Sequence, residues 1–199
     1  MNRVLVKICG ITCVEDALAA VEAGADALGF NFFPSSPRFI TVEKAAEIAA
    51  GVPQNTVKVG VFVDTPAEEI ARMVRAAGLD VAQVHGRPLG LTVRFWQALA
   101  AGLGLDERMQ ASAAEAFLID TPAGAQRGGT GRVFDWSLAK GLAGKIVLAG
   151  GLGPDNVAEA IRQVRPWGVD ACSRIESAPG RKDAAKVRAL IQAVREAEA

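Results

Sequence analysis

Four stretches of this 199-residue sequence put reactive side chains where an apolar run stops. "RVLVKIC" (3–9) ends in Cys9 with Lys7 two positions before it, and "AFLID" (116–120) ends in Asp120. "LAGGLGPDN" (148–156) carries Gly150 and Gly151, and "CSRIESAPG" (172–180) carries Ser173 and Arg174. A thiol beside an ammonium is driven toward thiolate, the form that acts as base or nucleophile. A carboxyl at an apolar mouth has its pKa raised, which suits a general acid. Gly150 and Gly151, ahead of a helix starting near Pro154, offer backbone amides to an anion, and Ser173 and Arg174 add polar contacts. Together these residues suit proton transfer on a small phosphorylated molecule.

Each also has a structural reading. Cys9 fits as a small buried hydrophobe, and Asp120 fits as a cap on the turn at Thr121-Pro122. His85, the single histidine, either contacts a ligand or partners a backbone group. Asp64 and Asp170 either orient substrate or fix loops. Cys13 follows Cys9 by four positions, but no further Cys or His follows at short spacing and Cys172 is remote in the chain, so no metal is expected. "GGTG" (128–131) lacks the Gly-Lys-Ser/Thr ending of a phosphate loop and reads as a mobile loop over the substrate.

The elements that must hold these residues alternate along the chain. Strand candidates are 3–9, 27–32, 56–63, 81–85, 93–99, 116–120, 145–150 and 168–173. Helix starts lie between most of them: Thr12 with Glu15, Thr41, Thr65-Pro66 and Pro154. Gly24, Gly51 and Gly78 close three of these helices. Eight strand–helix units are what a closed (β/α)₈ barrel needs, though an open doubly wound sheet has the same periodicity. At about 25 residues per unit, one compact domain over 1–199 is expected, smaller than the usual ~250 residues.

One connection resists the pattern. Only "GRPLGLT" (86–92) parts the fourth and fifth strand candidates, whereas a parallel crossover normally needs a dozen residues. Either the fourth helix is shortened or missing, or 93–101 is itself helical. Val93, Phe95 and Trp96 are poor surface-helix residues, which favours the first. Near the C-terminus, "KVRALIQAV" (186–194) continues an amphipathic helix with Arg188 and Arg195 on a solvated face.

In a (β/α)₈ barrel, ligands bind at the C-terminal mouth of the strands. Period-two alternation puts Leu5, Lys7 and Cys9 on one face of the first strand and Ala116, Leu118 and Asp120 on one face of the sixth. The seventh and eighth strands separate these two, so a phosphate held there lies between Cys9 and Asp120.

Composition sets the class of partner. Lys plus Arg equals Asp plus Glu at 22 each, so no basic stripe argues for nucleic acid or a membrane surface. No apolar run is long enough to span a bilayer and no signal peptide is evident. Three cysteines, an odd number, are expected as reduced thiols in the cytoplasm.

"VKICGIT" (6–12), "GADALGFNFFPSSPRFI" (24–40), "KVGVFVD" (58–64), "VAQVHG" (81–86), "FLIDT" (117–121), "GGTGRVFDW" (128–136), "LAGGLGPDNV" (148–157) and "GVDACSRIESAPGRKD" (168–183) strongly resemble the phosphoribosylanthranilate isomerases of tryptophan biosynthesis. The resemblance implies a (β/α)₈ barrel and an Amadori rearrangement of N-(5-phosphoribosyl)anthranilate, a phosphosugar, with neither metal nor cofactor. It implies Cys9 as general base, Asp120 as general acid and Arg38 of "SPRF" as the contact for the anthranilate carboxylate. Gly150, Gly151, Ser173 and Arg174 would hold the phosphate; His85 and Asp170 stay candidate substrate contacts from their strand-end positions alone. A monomer or homodimer is expected. The family commonly has Ser-Gly where this chain has Ser173-Arg174, so a freely rotating residue has become one restricted mainly to negative φ. The histidine-pathway isomerase that performs the same rearrangement is expected to use two aspartates, and a non-catalytic phosphosugar-binding barrel would keep only the phosphate loops.

Overall fold

A computed structural model of the chain describes residues 3–86, 90–122 and 133–198. Eight parallel strands close into a barrel in chain order: β1 Leu5–Cys9, β2 Ala27–Asn31, β3 Val57–Val63, β4 Val81–His85, β5 Phe95–Ala100, β6 Ala116–Asp120, β7 Ile146–Leu148 and β8 Gly168–Ala171. Every expected strand is present, and pairing of β1 with β8 closes the sheet, which removes the open-sheet alternative.

The connecting helices are α1 Val14–Glu22, α2 Val42–Gly51, α3 Ala67–Ala76, α4 Leu105–Gln110, α5 Val157–Val164 and α6 Ala184–Glu198. No helix stands between β4 and β5 among the described residues. Residues 93–101 contribute a strand, and the reason lies at Trp96. Its ring is buried inside the barrel with Ala27, Ala98 and Ala116, small neighbours that leave room for an indole. Trp167, just before β8, meets it edge-on at 5.7 Å, and Lys145 Nζ stands 5.2 Å from the Trp167 ring. These side chains plug the end of the barrel where the strands begin.

Alternation along each strand divides the two cores. Val59, Val81, Leu118, Val147 and Ala149 fill the interior. Val6, Ile8, Leu28, Phe30, Phe62 and Ile119 belong to the larger cluster under the helices. Strands buried on both faces explain why most read as nearly unbroken apolar runs.

Three expectations need correction. Thr12 does not cap α1: Cys13 holds that position without a side-chain cap bond, because the Thr12 hydroxyl donates to the Gly180 carbonyl at 2.5 Å. α5 starts at Val157, with residues 154–156 forming a turn in which Asn156 Oδ1 accepts from the Gly153 amide at 2.8 Å. Arg195 is not on a solvated face. It donates to the Val4 carbonyl at 2.8 Å and to Asp26 Oδ2 at 3.1 Å, fastening α6 to the barrel. Thr41 caps α2 as expected, accepting from the Lys44 amide at 3.2 Å.

After β8 the chain makes a 3₁₀ turn, Ser173–Ile175, and a small hairpin of β9 Glu176–Ala178 and β10 Arg181–Lys182. The hairpin is pinned beside β1 by the Thr12 bond and by the Lys182 amide donating to Asp16 Oδ2 at 2.8 Å. It leads directly from the end of β8 to the rim of the site.

Candidate active site

A cavity of about 590 Å³ opens at the C-terminal end of the strands. Cys9, Arg38, His85, Asp120, Gly150, Gly151, Asp170 and Ser173 all line it; Arg174 does not. Residues from almost the whole length of the chain therefore meet in one place, as closure of the barrel requires.

Cys9 ends β1 and is buried. Directly before it on the inward face is Lys7, fully buried, whose Nζ donates to Asp170 Oδ1 at 2.9 Å. The register explains the pairing, because Lys7 and Asp170 are opposite each other on β1 and β8. Burial works against the Lys7 charge, yet Asp170 and Cys9 outweigh it and hold the ammonium protonated. Burial pushes the Asp170 carboxyl up to about 7 despite its cation.

The Cys9 thiol is lowered well below its ordinary value. The hydrogen bond from Cys172 contributes most, and the Lys7 and Lys182 ammonium groups add to it against the cost of burial. Chain distance makes Cys172 remote from Cys9; closure makes it a neighbour. Gly29 admits the crowding, since a Cβ there would stand 2.8 Å from Cys9 Sγ and 3.0 Å from Lys7 Nζ.

Asp120 ends β6. Burial pushes its carboxyl up to about 6, with the Thr121 amide, which donates to Oδ1 at 2.7 Å, partly offsetting this. The turn-capping reading of Asp120 and its reading as a raised acid are thus compatible. Two titratable groups facing one cavity are pushed in opposite directions, a pattern that separates a base from an acid.

The rim of the cavity after β7 is built from backbone. Gly150 and Gly151 have φ of +80° and +63°, and a Cβ on Gly150 would lie 2.8 Å from the Thr121 amide nitrogen and 2.9 Å from Asp120 Oδ1. Only glycine lets this loop pack so closely on the acid. The Gly151 carbonyl accepts from Asn156 Nδ2 at 3.0 Å and from Arg174 Nη1 at 3.1 Å. Arg174 Nη2 reaches Asp155 Oδ2 at 2.7 Å. Arg174 therefore braces the loop after β7 from outside the cavity, and its φ is not positive.

Arg38 lines the cavity with its guanidinium already engaged. Nε and Nη2 donate to the two oxygens of Glu176 at 2.8 and 2.7 Å, and Lys182 Nζ donates to Glu176 Oε1 at 2.9 Å. Burial disfavours the Glu176 charge, but Arg38 and Lys182 hold its pKa down. Glu176 is the main site-supporting residue that sequence reasoning missed. Its only signal was position, immediately after the Ser173-Arg174 loop.

Gln83 was missed as well. It lines the cavity, its Nε2 lies 3.4 Å from His85 Nε2, and its buried Oε1 has no hydrogen-bond partner. Asp64 does not line the cavity; it adopts φ of +51° after β3. "GGTG" (128–131) lies outside the described residues.

The family model for N-(5′-phosphoribosyl)anthranilate (PRA) isomerase matches residues 6–193. The chain belongs to the phosphoribosylanthranilate isomerase family. N-(5′-phosphoribosyl)anthranilate isomerase of Solibacter usitatus is 46% identical over 97% of this chain and 98% of its own. The isomerase of Pelobacter propionicus is 47% identical over 96% of this chain and 95% of its own. Among solved structures, the isomerase of Thermotoga maritima superposes with a TM-score of 0.89 at 37% identity, covering 97% of this chain and 99% of that one. A phosphoribosylanthranilate isomerase in complex with reduced 1-(o-carboxyphenylamino)-1-deoxyribulose 5-phosphate superposes at 0.86 with 36% identity, again over 97% and 99%. These likenesses cover nearly the whole chain, so the barrel described above is the family's fold.

Proposed function

We propose that this site performs the Amadori rearrangement of N-(5′-phosphoribosyl)anthranilate to 1-(2-carboxyphenylamino)-1-deoxyribulose 5-phosphate, a step of tryptophan biosynthesis, with Cys9 as base and Asp120 as acid. The observation that carries the assignment is that Cys9 and Asp120, at the ends of β1 and β6, face one cavity at the barrel mouth, in surroundings that lower the thiol and raise the carboxyl to about 6. Protonated Asp120 gives its proton to the furanose ring oxygen as the C1′–O bond breaks and the aryl nitrogen forms a Schiff base. Cys9 thiolate then removes the proton from C2′, and the resulting enolamine tautomerises to the ketone.

The phosphate is held by the loops after β7 and β8. Gly150, Gly151 and Ser173 line the cavity there, and Arg174 contributes by fixing the Gly151 peptide. Arg38 keeps Nη1 for the anthranilate carboxylate while Glu176 occupies Nε and Nη2. His85 and Asp170 meet the sugar, with Asp170 oriented by Lys7. One relative, from Thermotoga maritima, is described as a dimeric enzyme, and a monomer or homodimer is the assembly assigned to this chain. No helix among the described residues is long and apolar enough to cross a membrane, in keeping with a cytoplasmic biosynthetic role.

The test is steady-state turnover of freshly prepared phosphoribosylanthranilate, followed by loss of anthranilate fluorescence, for wild type, Cys9→Ala and Asp120→Ala. Each variant is expected to lose roughly 10²–10⁴-fold in kcat, the contribution of a positioned acid or base. A folded variant that keeps wild-type kcat would remove that residue from the chemistry.

A further inference from the structure

Cys9 and Cys172 lie near opposite ends of the polypeptide, and closure of the barrel brings them together. β1 and β8 run parallel with Ile8 opposite Ala171, so the next position along each carries a cysteine. Neighbouring strands are about 4.8 Å apart, within the Cα separation of roughly 4.4–6.8 Å that a disulfide spans. Both cysteines line the cavity. A small oxidant therefore reaches them by the route open to substrate.

We propose that Cys9 and Cys172 form an oxidation site, at which a hydroperoxide converts the two thiols into a reversible disulfide. The Cys9 thiolate sulfur attacks one oxygen of hydrogen peroxide; the O–O bond breaks, hydroxide leaves and is protonated to water, and Cys9 becomes a sulfenic acid. The Cys172 sulfur then attacks the Cys9 sulfur. The S–O bond breaks, and the departing hydroxide takes the Cys172 proton as a second water. Two thiols lose two electrons and two protons, and one peroxide is reduced to two waters.

The surroundings assign the order of events. Cys9 is held toward thiolate by the Cys172 hydrogen bond and by nearby ammonium groups, whereas Cys172 keeps its proton because it donates to Cys9. Lys182 Nζ, 3.9 Å from Cys172 Sγ, stands ready to assist that proton's loss in the second step. Cys13 is outside the cavity at the start of α1 and serves as an internal control.

The bridge itself requires only the two sulfurs. Its effect on turnover rests on Cys9 being the base, so chemistry and activity are read separately. Purified full-length protein is treated with hydrogen peroxide, free thiols are alkylated, and intact mass, linked peptides and turnover are measured before and after dithiothreitol. The expected product has lost the mass of two hydrogens, contains one peptide joining Cys9 to Cys172, and retains alkylatable Cys13. Its oxidised fraction is at least about 100-fold less active, as loss of a general base dictates, and dithiothreitol restores it. In Cys172→Ser, Cys9 proceeds to sulfinic acid and dithiothreitol fails to restore the activity that variant had before treatment. A wild type whose Cys9 gains two oxygens without a linked peptide would overturn the proposal, as would equal thiol-dependent recovery in Cys172→Ser. A linked peptide with unchanged turnover would support the oxidation site and remove Cys9 from its role as base.

Discussion

Replacing Lys7 with methionine isolates what a buried ammonium does for the Cys9 thiol. Cys9 Sγ and Lys7 Nζ lie 2.8 and 3.0 Å from one common point, the ideal Cβ position on Gly29, so they are separated by no more than the sum of those distances. At about 6 Å and an effective dielectric constant of about 20, opposite unit charges attract by roughly 3 kcal/mol. That equals about 2 pKa units in favour of thiolate. Asp170 responds to the substitution: its carboxyl, already pushed up to about 7, loses the ammonium that lowers it and takes up a proton. Repulsion between Asp170 and the thiolate then disappears and offsets part of the change, leaving a net rise at Cys9 of roughly one unit.

The assay is the rate of Cys9 alkylation by iodoacetamide against pH, quantified at the Cys9 peptide so that Cys13 and Cys172 do not contribute. Lys7→Met is expected to move the midpoint upward by about one unit and to lower kcat/KM on the acid side in parallel. Removing one member of a buried pair also costs about 3–5 kcal/mol of stability. Lys7→Met with Asp170→Asn leaves no buried carboxyl behind and is expected to recover part of that loss while keeping the alkylation shift. A profile superimposable on wild type in both folded variants would refute the reasoning, leaving Cys172 and the Lys182 ammonium to hold the thiol down.

Three further outcomes follow from the same geometry. Asp120 must be protonated to act as an acid, and its carboxyl lies at about 6, so kcat/KM falls about tenfold per pH unit above that value; survival of the same limb in Asp120→Asn would exclude Asp120 as its source. Glu176→Gln loosens the fork that aims Arg38, so KM rises more than kcat falls, and loss of the buried charge lowers stability by about 3–5 kcal/mol in urea unfolding; an unchanged KM would show that Arg38 needs no such support. Trp96→Ala empties the closed end of the barrel and costs about 3–5 kcal/mol, while the folded fraction keeps its KM, because the indole lies among the interior residues away from the mouth.

Much of the barrel and part of its candidate site were legible because both depend on short-range pattern. Strands covered on both faces must be apolar throughout, so eight runs stand out, and period-two alternation groups Lys7 with Cys9 on one face of the first strand and puts Asp120 at the end of one face of the sixth. What the pattern could not supply were partners brought together by closure. Arg38 meets Glu176 across 138 positions, and Arg195 meets Asp26 across 169; neither separation leaves a local mark. Thr12 had the spacing of a cap and was taken instead by the Gly180 carbonyl, a tertiary bond outcompeting a local one. Arg174 is the instructive case. Its charge beside Ser173 suggested a phosphate ligand, yet an arginine side chain is long enough to turn outward, and Asp155 and the Gly151 carbonyl give it two partners there. The loop after β8 thus braces the loop after β7 through Arg174, and residue type at a strand end points to a chemistry while chain closure decides which atoms meet.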